Sequence, residues 1–328
     1  MNELHLITDT ILETSSTPRE LMTVLHEFKD LLFHLTEIKG VGEKYRNDIS
    51  TEAGLAIGTE WAARCVDDVY RSVKFIRGVH QAINDRLAVA PGQPVQLLYA
   101  GTGPFATLVL PLLTRFSPAE LQLTLVEINE LSITALRRLF SYPEYHDYAR
   151  AIIQSDCTTV ELPDWETYDI LLTETMQYAL QREHQVPLTL HLISKLRKDV
   201  VLIPQEIRVG LAAVNPTIER EDWEITPYSC LLSLTAAGLS SPGASNGKPG
   251  TADAPHELLL PARPEVRGSL AFTTDIHVYG GEHLGFNQSG LTVPRIIYSD
   301  GGGEEDRTFR WHYGFTPEPG LVWQMEEA

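Results

Sequence analysis

Two kinds of hydrophobic spacing divide this chain. Near the N-terminus, Leu21, Leu25, Phe28, Leu32 and Leu35 recur at helical intervals, which places one apolar stripe along a helix. Its start is marked by Thr17 as the cap, Pro18 at the first helical position and Glu20 closing a capping box. A second helix is predicted over residues 60–79, with Trp61, Cys65, Val69, Val73 and Ile76 on one side. From residue 95 the pattern becomes short apolar runs of strand length, at 95–99, 123–128, 151–154, 170–173 and 200–203. Helical stretches such as 105–116 and 130–140 lie between them. Strand and helix in alternation predict a mostly parallel, doubly wound α/β sheet. Beyond residue 204 the segments are β-branched and aromatic, and 270–279, 290–298 and 308–315 read as antiparallel strands. Residues 236–255, rich in Gly, Ser, Pro and Ala, read as a flexible surface loop. No internal repeat is present.

Composition narrows the classes. A chain of 328 residues that is 43% hydrophobic has enough apolar surface for a large core in about two domains. Its formal charge of −18 argues against a nucleic-acid partner and suits cationic ligands. Cys65, Cys157 and Cys230 are far apart and follow no metal-ligand spacing, which implies a reducing compartment and no metal. No basic region precedes an apolar run at the N-terminus, and no stretch approaches the roughly 18 apolar residues of a membrane span. The expectation is a soluble, cytoplasmic protein without a membrane partner.

Two places carry chemistry. The first is Leu97-Leu98-Tyr99-Ala100-Gly101-Thr102-Gly103-Pro104-Phe105, a strand, a glycine turn and the start of the next element. Gly101 and Gly103 permit a tight turn and a close approach of backbone to ligand. Alone this is a weak signal, since many glycine turns after strands are structural. Glu127, ending the next strand, strengthens it, because an acidic residue about 20 positions beyond such a turn binds the ribose hydroxyls of a nucleoside. A dinucleotide needs a third glycine for its pyrophosphate, and Phe105 stands there; no phosphate loop occurs either. S-adenosylmethionine carries no phosphate and is therefore favoured over a nicotinamide dinucleotide, which disfavours an oxidoreductase.

The second place is the segment after the 170–173 strand, where Glu174 and Glu183 stand nine residues apart. Ligands bind outside the carboxyl ends of strands in open α/β sheets. Two carboxylates there form an acceptor-only site, matched to a planar cation rich in N–H donors, a guanidinium.

With both places in view the chain resembles the arginine N-methyltransferase family. The resemblance runs over residues 58–211 and rests on Val160-Glu161-Leu162-Pro163, on Tyr168-Asp169-Ile170-Leu171-Leu172, and on the loop after it. In that loop Glu174, Met176, Tyr178 and Glu183 match the family's Glu, Met, Tyr and Glu spacing. The resemblance implies that Glu174 and Glu183 clamp a guanidinium, with Met176 and Tyr178 beside the acceptor. It implies that Glu127 binds ribose, that Arg71 pairs with the donor's methionine carboxylate, and that Cys157 and Thr158 lie by the adenine. It further implies a Rossmann-like donor domain at 93–205, after a helical cap at 1–92 and before a β-rich, barrel-like substrate and dimerisation domain at 206–328. Residues 214–261 are the segment long enough for a dimerisation arm, and the apolar run 230–234 is either part of that interface or an ordinary buried strand.

Departures from the family pattern surround the acceptor. Tyr99 replaces an acidic residue, 52–57 replaces an N-terminal aromatic segment, and no Thr-His-Trp tripeptide occurs, leaving His312 in Arg310-Trp311-His312-Tyr313 as the nearest substitute. They point to a small acceptor, free L-arginine or a related guanidino compound, as in the bacterial enzymes of nitrosourea natural-product pathways. A protein-arginine methyltransferase and a non-catalytic binding subunit of the same fold are the alternatives, and a homodimer is the expected assembly.

Overall fold

The computed structural model describes residues 2–38, 49–51, 54–56, 58, 65–215, 223–241, 250–251, 254–263, 266, 268–315 and 318–327. It begins with helices α1 (Asn2–Leu12) and α2 (Pro18–Thr36). Helix α2 starts in the capping box read from the sequence: the Thr17 amide donates to Glu20 at 2.7 Å and the Glu20 amide to the Thr17 hydroxyl at 3.3 Å. Helix α1 went unread, although Leu4, Ile7 and Ile11 repeat at helical spacing and are buried. A short hairpin of β1 (Ile49–Thr51) and β2 (Gly54–Ala56) comes next.

The helix predicted over 60–79 is shifted. Residues 59–64, with Glu60 and Trp61, lie outside the described residues, Cys65–Asp67 is a single 3-10 turn, and α3 runs Val69–Val89. Asp68 sets its start by accepting from the Arg71 amide at 3.2 Å. Buried Ala82 and Ile83 carry it further than predicted, up to Pro91 and Gly92.

Strands β3 (Val95–Ala100), β4 (Leu121–Glu127), β5 (Ala149–Gln154), β6 (Ile170–Thr173) and β7 (Val201–Ile203) pair in parallel in the order β5-β4-β3-β6-β7. The chain reverses its direction of strand addition between β3 and β6, which opens a crevice at their carboxyl ends. Helices α4 (Glu130–Leu139) and α5 (Gln185–Lys195) belong to this layer. The helix predicted over 105–116 is instead a run of turns ending in a 3-10 helix, Leu110–Thr114. Ala106 lies at φ 46, and Pro111 has no amide hydrogen to extend an α-helical ladder.

The remainder is two antiparallel sheets. The larger contains β8 (Glu206–Asn215), β9 (Glu224–Thr235), β10 (Gly238–Ser241), β11 (Gly250–Thr251), β13 (Ser269–Tyr279), β14 (Glu282–Leu284) and β15 (Arg295–Tyr298). The smaller contains β12 (His256–Leu260), β16 (Arg307–Gly314) and β17 (Gly320–Glu327). They face each other through Phe272, whose ring centroid lies 6.3 Å from those of Phe309 and Trp323. Two expectations are corrected here, and one open alternative is decided. Residues 238–241 and 250–251 of the presumed loop are paired strand, while 242–249 and 252–253 lie outside the described residues. Only the end of 290–298 is strand, because Gly290–Thr292 forms a capped 3-10 turn and Pro294 delays strand pairing until Arg295. The run 230–234 contributes Leu231, Leu232 and Leu234 to the core of the single chain, all at most 1% exposed, as an ordinary buried strand does. Among the described residues no helix is long and apolar enough to cross a membrane.

Candidate active site

At the carboxyl ends of β3, β4 and β6 lies a cavity of about 800 Å³, within the size range of ligand pockets. Its first wall is the turn after β3. Gly101 has φ 75, and a Cβ there would meet Cγ2 of Thr175 at 2.1 Å, so glycine is required both for conformation and for space. Glu127, at the end of β4, is buried and accepts from the Gly103 amide and the Asn129 amide, each at 2.8 Å. Burial raises its pKa, opposed by those amides of Asn129 and Gly103. The hydrogen bonds aim a carboxylate at the cavity while fixing the glycine turn beside it. Cys157 lines the same wall, and burial, reinforced by Glu127, holds its thiol neutral.

The second wall is the loop after β6. Glu174 and Glu183 are both buried and both line the cavity. The loop joining them is strained: Ala179, Leu180 and Arg182 have φ of 57, 53 and 66, a region that L-residues avoid. It is held there from the β-rich sheets, with the Ala179 amide donating to Thr274 Oγ1 at 2.8 Å, the Arg182 amide to the Pro319 carbonyl at 2.7 Å, and the Tyr313 hydroxyl to the Leu180 carbonyl at 2.8 Å. From the other side Gln185, 1% exposed, accepts from the Thr175 amide at 2.9 Å and donates to Thr173 Oγ1 at 2.6 Å.

Arg71 reaches into the cavity from α3 and forms an ion pair with Oε2 of Glu174. Oε1 of Glu174 is buried and makes no hydrogen bond to the described residues. A buried carboxylate oxygen in that state is costly unless a ligand donates to it. The same helix is tied to the β-rich half, because Asp68 accepts from Ser289 Oγ at 2.6 Å and from the Gly290 amide at 2.8 Å. Of the described residues lining the cavity, Asp68, Glu127, Asp156, Glu174 and Glu183 are acidic and Arg71 is the basic counterpart. Such a field selects for cationic ligands.

Arg71, Gly101, Gly103, Glu127, Cys157, Glu174, Met176, Tyr178 and Glu183 therefore meet at one cavity. Thr158 and His312 do not line it. Thr158 turns back to Asp156, its amide and hydroxyl donating at 2.8 and 2.7 Å, and Asp156 lines the cavity instead. His312 lies on β16 between inward-facing Trp311 and Tyr313, so strand alternation turns it away. Two further lining residues bear on the chemistry. His184 is buried beside Glu183, its Nε2 2.7 Å from Thr51 Oγ1; its position next to a proposed site glutamate was the signal available. Tyr99 is buried in the cavity wall, and burial raises the pKa of its phenol against the pull of Arg71, keeping it a neutral donor.

No protein-family model and no curated protein sequence matches the chain. Solved structures do. PRMT1 of Trypanosoma brucei, in an enzyme–prozyme heterotetrameric complex with AdoHcy, aligns over 80% of this chain and 96% of its own, with TM-score 0.52 and 15% identity. Arabidopsis thaliana protein arginine methyltransferase 10 aligns over 80% and 92%, with TM-score 0.50 and 13% identity. PRMT6 aligns over 82% and 99%, with TM-score 0.51 and 11% identity. The fold is that of these methyltransferases.

Proposed function

We propose that this chain is an S-adenosylmethionine-dependent methyltransferase acting on a guanidino nitrogen, with free L-arginine or a related small guanidino compound as acceptor. The observation that carries the reading is the pairing of Glu174 and Glu183, two buried carboxylates facing the cavity that Glu127 and the glycine turn also line. The residues fit such a donor. Gly101 and Gly103 leave backbone open to a nucleoside, Glu127 offers a fixed carboxylate for ribose hydroxyls, and the acidic lining suits a sulfonium. When bound, the donor supplies an electrophilic methyl group. The chain's own part is to hold the acceptor: Oε1 of Glu174 takes guanidinium N–H bonds, and Glu183 completes the clamp and takes the proton that leaves with methylation. Most of the acceleration is positioning and fixed charge in a buried site. Arg71 pairs with Glu174 and serves the donor's carboxylate.

A homodimer is the assembly expected from the resemblance, and sedimentation at micromolar concentration tests it. The activity is tested by incubating the chain with S-adenosylmethionine and either L-arginine or an Arg-rich peptide, then analysing products by mass spectrometry. Methylated free arginine is the expected product. Methylation of the peptide alone would make the acceptor a protein, and no product from either would refute the reading.

A further inference from the structure

A cation that does not itself line the cavity lies against one of the lining side chains. Tyr178, 37% exposed, lines the cavity, and the Arg295 guanidinium carbon lies 6.0 Å from the centroid of its ring. Arg295 is exposed at the start of β15, directly after Pro294, and is fixed in register opposite Phe272. Among the described residues it forms no ion pair, whereas Arg71 is matched to Glu174 and Arg182 to Glu318. The cavity is thus lined by a carboxylate with an unpartnered oxygen and by a tyrosine ring that a cation packs against from outside the lining.

We propose that Arg295 is a specificity residue that takes the carboxylate of an acceptor bearing a guanidinium at its other end. The proposal rests on the guanidino-transfer reading and extends it to substrate class: an amino acid or guanidino acid, not a peptide. In a peptide the arginine carboxylate is an amide, and neighbouring cations of an Arg-rich tail meet repulsion from Arg295. The planar guanidinium suits two-point recognition of a carboxylate, and the Tyr178 ring restrains its position.

Steady-state rates with L-arginine and with agmatine, which is arginine without its carboxylate, test this in the wild type, Arg295→Gln and Arg295→Lys. The wild type is expected to favour arginine in kcat/KM by roughly 10- to 100-fold, the range for a hydrogen bond to a charged group. Arg295→Gln should collapse that ratio towards one, mainly through KM for arginine, and Arg295→Lys should retain part of it. A misfolded variant lowers both rates together, so the ratio separates specificity from folding. Equal use of both acceptors by the wild type, or an unchanged ratio in Arg295→Gln, overturns the proposal while leaving guanidino transfer intact. Failure of the wild type to methylate arginine or agmatine while it methylates an Arg-rich peptide overturns this proposal and the small-acceptor reading, and no product from any of the three overturns guanidino transfer as well.

Discussion

Glu127 is positioned by the amides of Asn129 and Gly103, 2 and 24 residues away, within one strand–turn unit. The loop between Glu174 and Glu183 is positioned by Thr274 and Tyr313, 95 and 133 residues away, in the β-rich sheets. The wall proposed for the donor is thus assembled from contacts within the parallel sheet. The wall proposed for the acceptor carries strained backbone held in part from the second half of the chain. Such strain persists where surrounding structure over-determines it, at about 1–3 kcal/mol per residue. The two walls should therefore fail separately: damage to the β-rich half should reach the acceptor, and damage to the glycine turn should reach the donor.

The largest separation is expected from the clamp. Glu183→Gln should lower turnover by about 2–5 kcal/mol in barrier, the cost of breaking a buried charge pair, while S-adenosylhomocysteine binds nearly as before. Glu174→Gln should lose similar activity and also lower the melting temperature, because it strips the buried Arg71 of its carboxylate. Single-turnover rates and thermal melts check both. A Glu183→Gln variant that turns over normally would remove the clamp.

On the donor wall, Glu127→Ala should weaken S-adenosylhomocysteine by about 1.5–3 kcal/mol, read by calorimetry. The pH dependence carries a sign. Burial raises the Glu127 pKa above the ordinary 4.5, so donor affinity should fall as pH drops through that raised value, since the protonated acid is a poorer acceptor. Stability of the ligand-free chain should move the other way across the same window. The folded state binds more protons there than the unfolded state, so stability declines as pH rises from 4.5 towards the raised pKa. Donor affinity that is flat across the window would place the ribose elsewhere.

Tyr313→Phe should produce a smaller effect on the acceptor side alone. It removes the hydroxyl that donates to the Leu180 carbonyl, worth about 1 kcal/mol, and should raise KM for arginine or lower kcat while donor affinity holds. His312→Ala should change activity least, by under about 0.5 kcal/mol, the usual scale for substitutions away from a site.

Legibility in the sequence divides along the same line. The donor wall could be read because strand, turn and acidic residue are close along the chain, and their spacing is their geometry. Glu174, Met176, Tyr178 and Glu183 were visible as types, yet the positive φ of Ala179, Leu180 and Arg182 was not, since nothing local favours it. Ser289 and Gly290 reach Asp68 across more than 200 residues, so the place of Gly290 at the cavity has no local signal. Residue type alone points to His312, but its strand register turns it away while His184 lines the cavity. The helix expected over 105–116 is absent because a mostly apolar run mimics a buried helix, while Ala106 at positive φ and Pro111 interrupt one.

If Glu183 serves a guanidinium next to a separately built donor site, acceptor and donor affinities must respond to it differently. Calorimetric titration of L-arginine into the S-adenosylhomocysteine-saturated wild type and Glu183→Gln measures this without any catalytic step. Arginine should bind the wild type and bind the variant at least tenfold more weakly, with near-equal S-adenosylhomocysteine affinity in both. Equal arginine affinity in the two proteins, or loss of S-adenosylhomocysteine binding in Glu183→Gln, would contradict that role for Glu183.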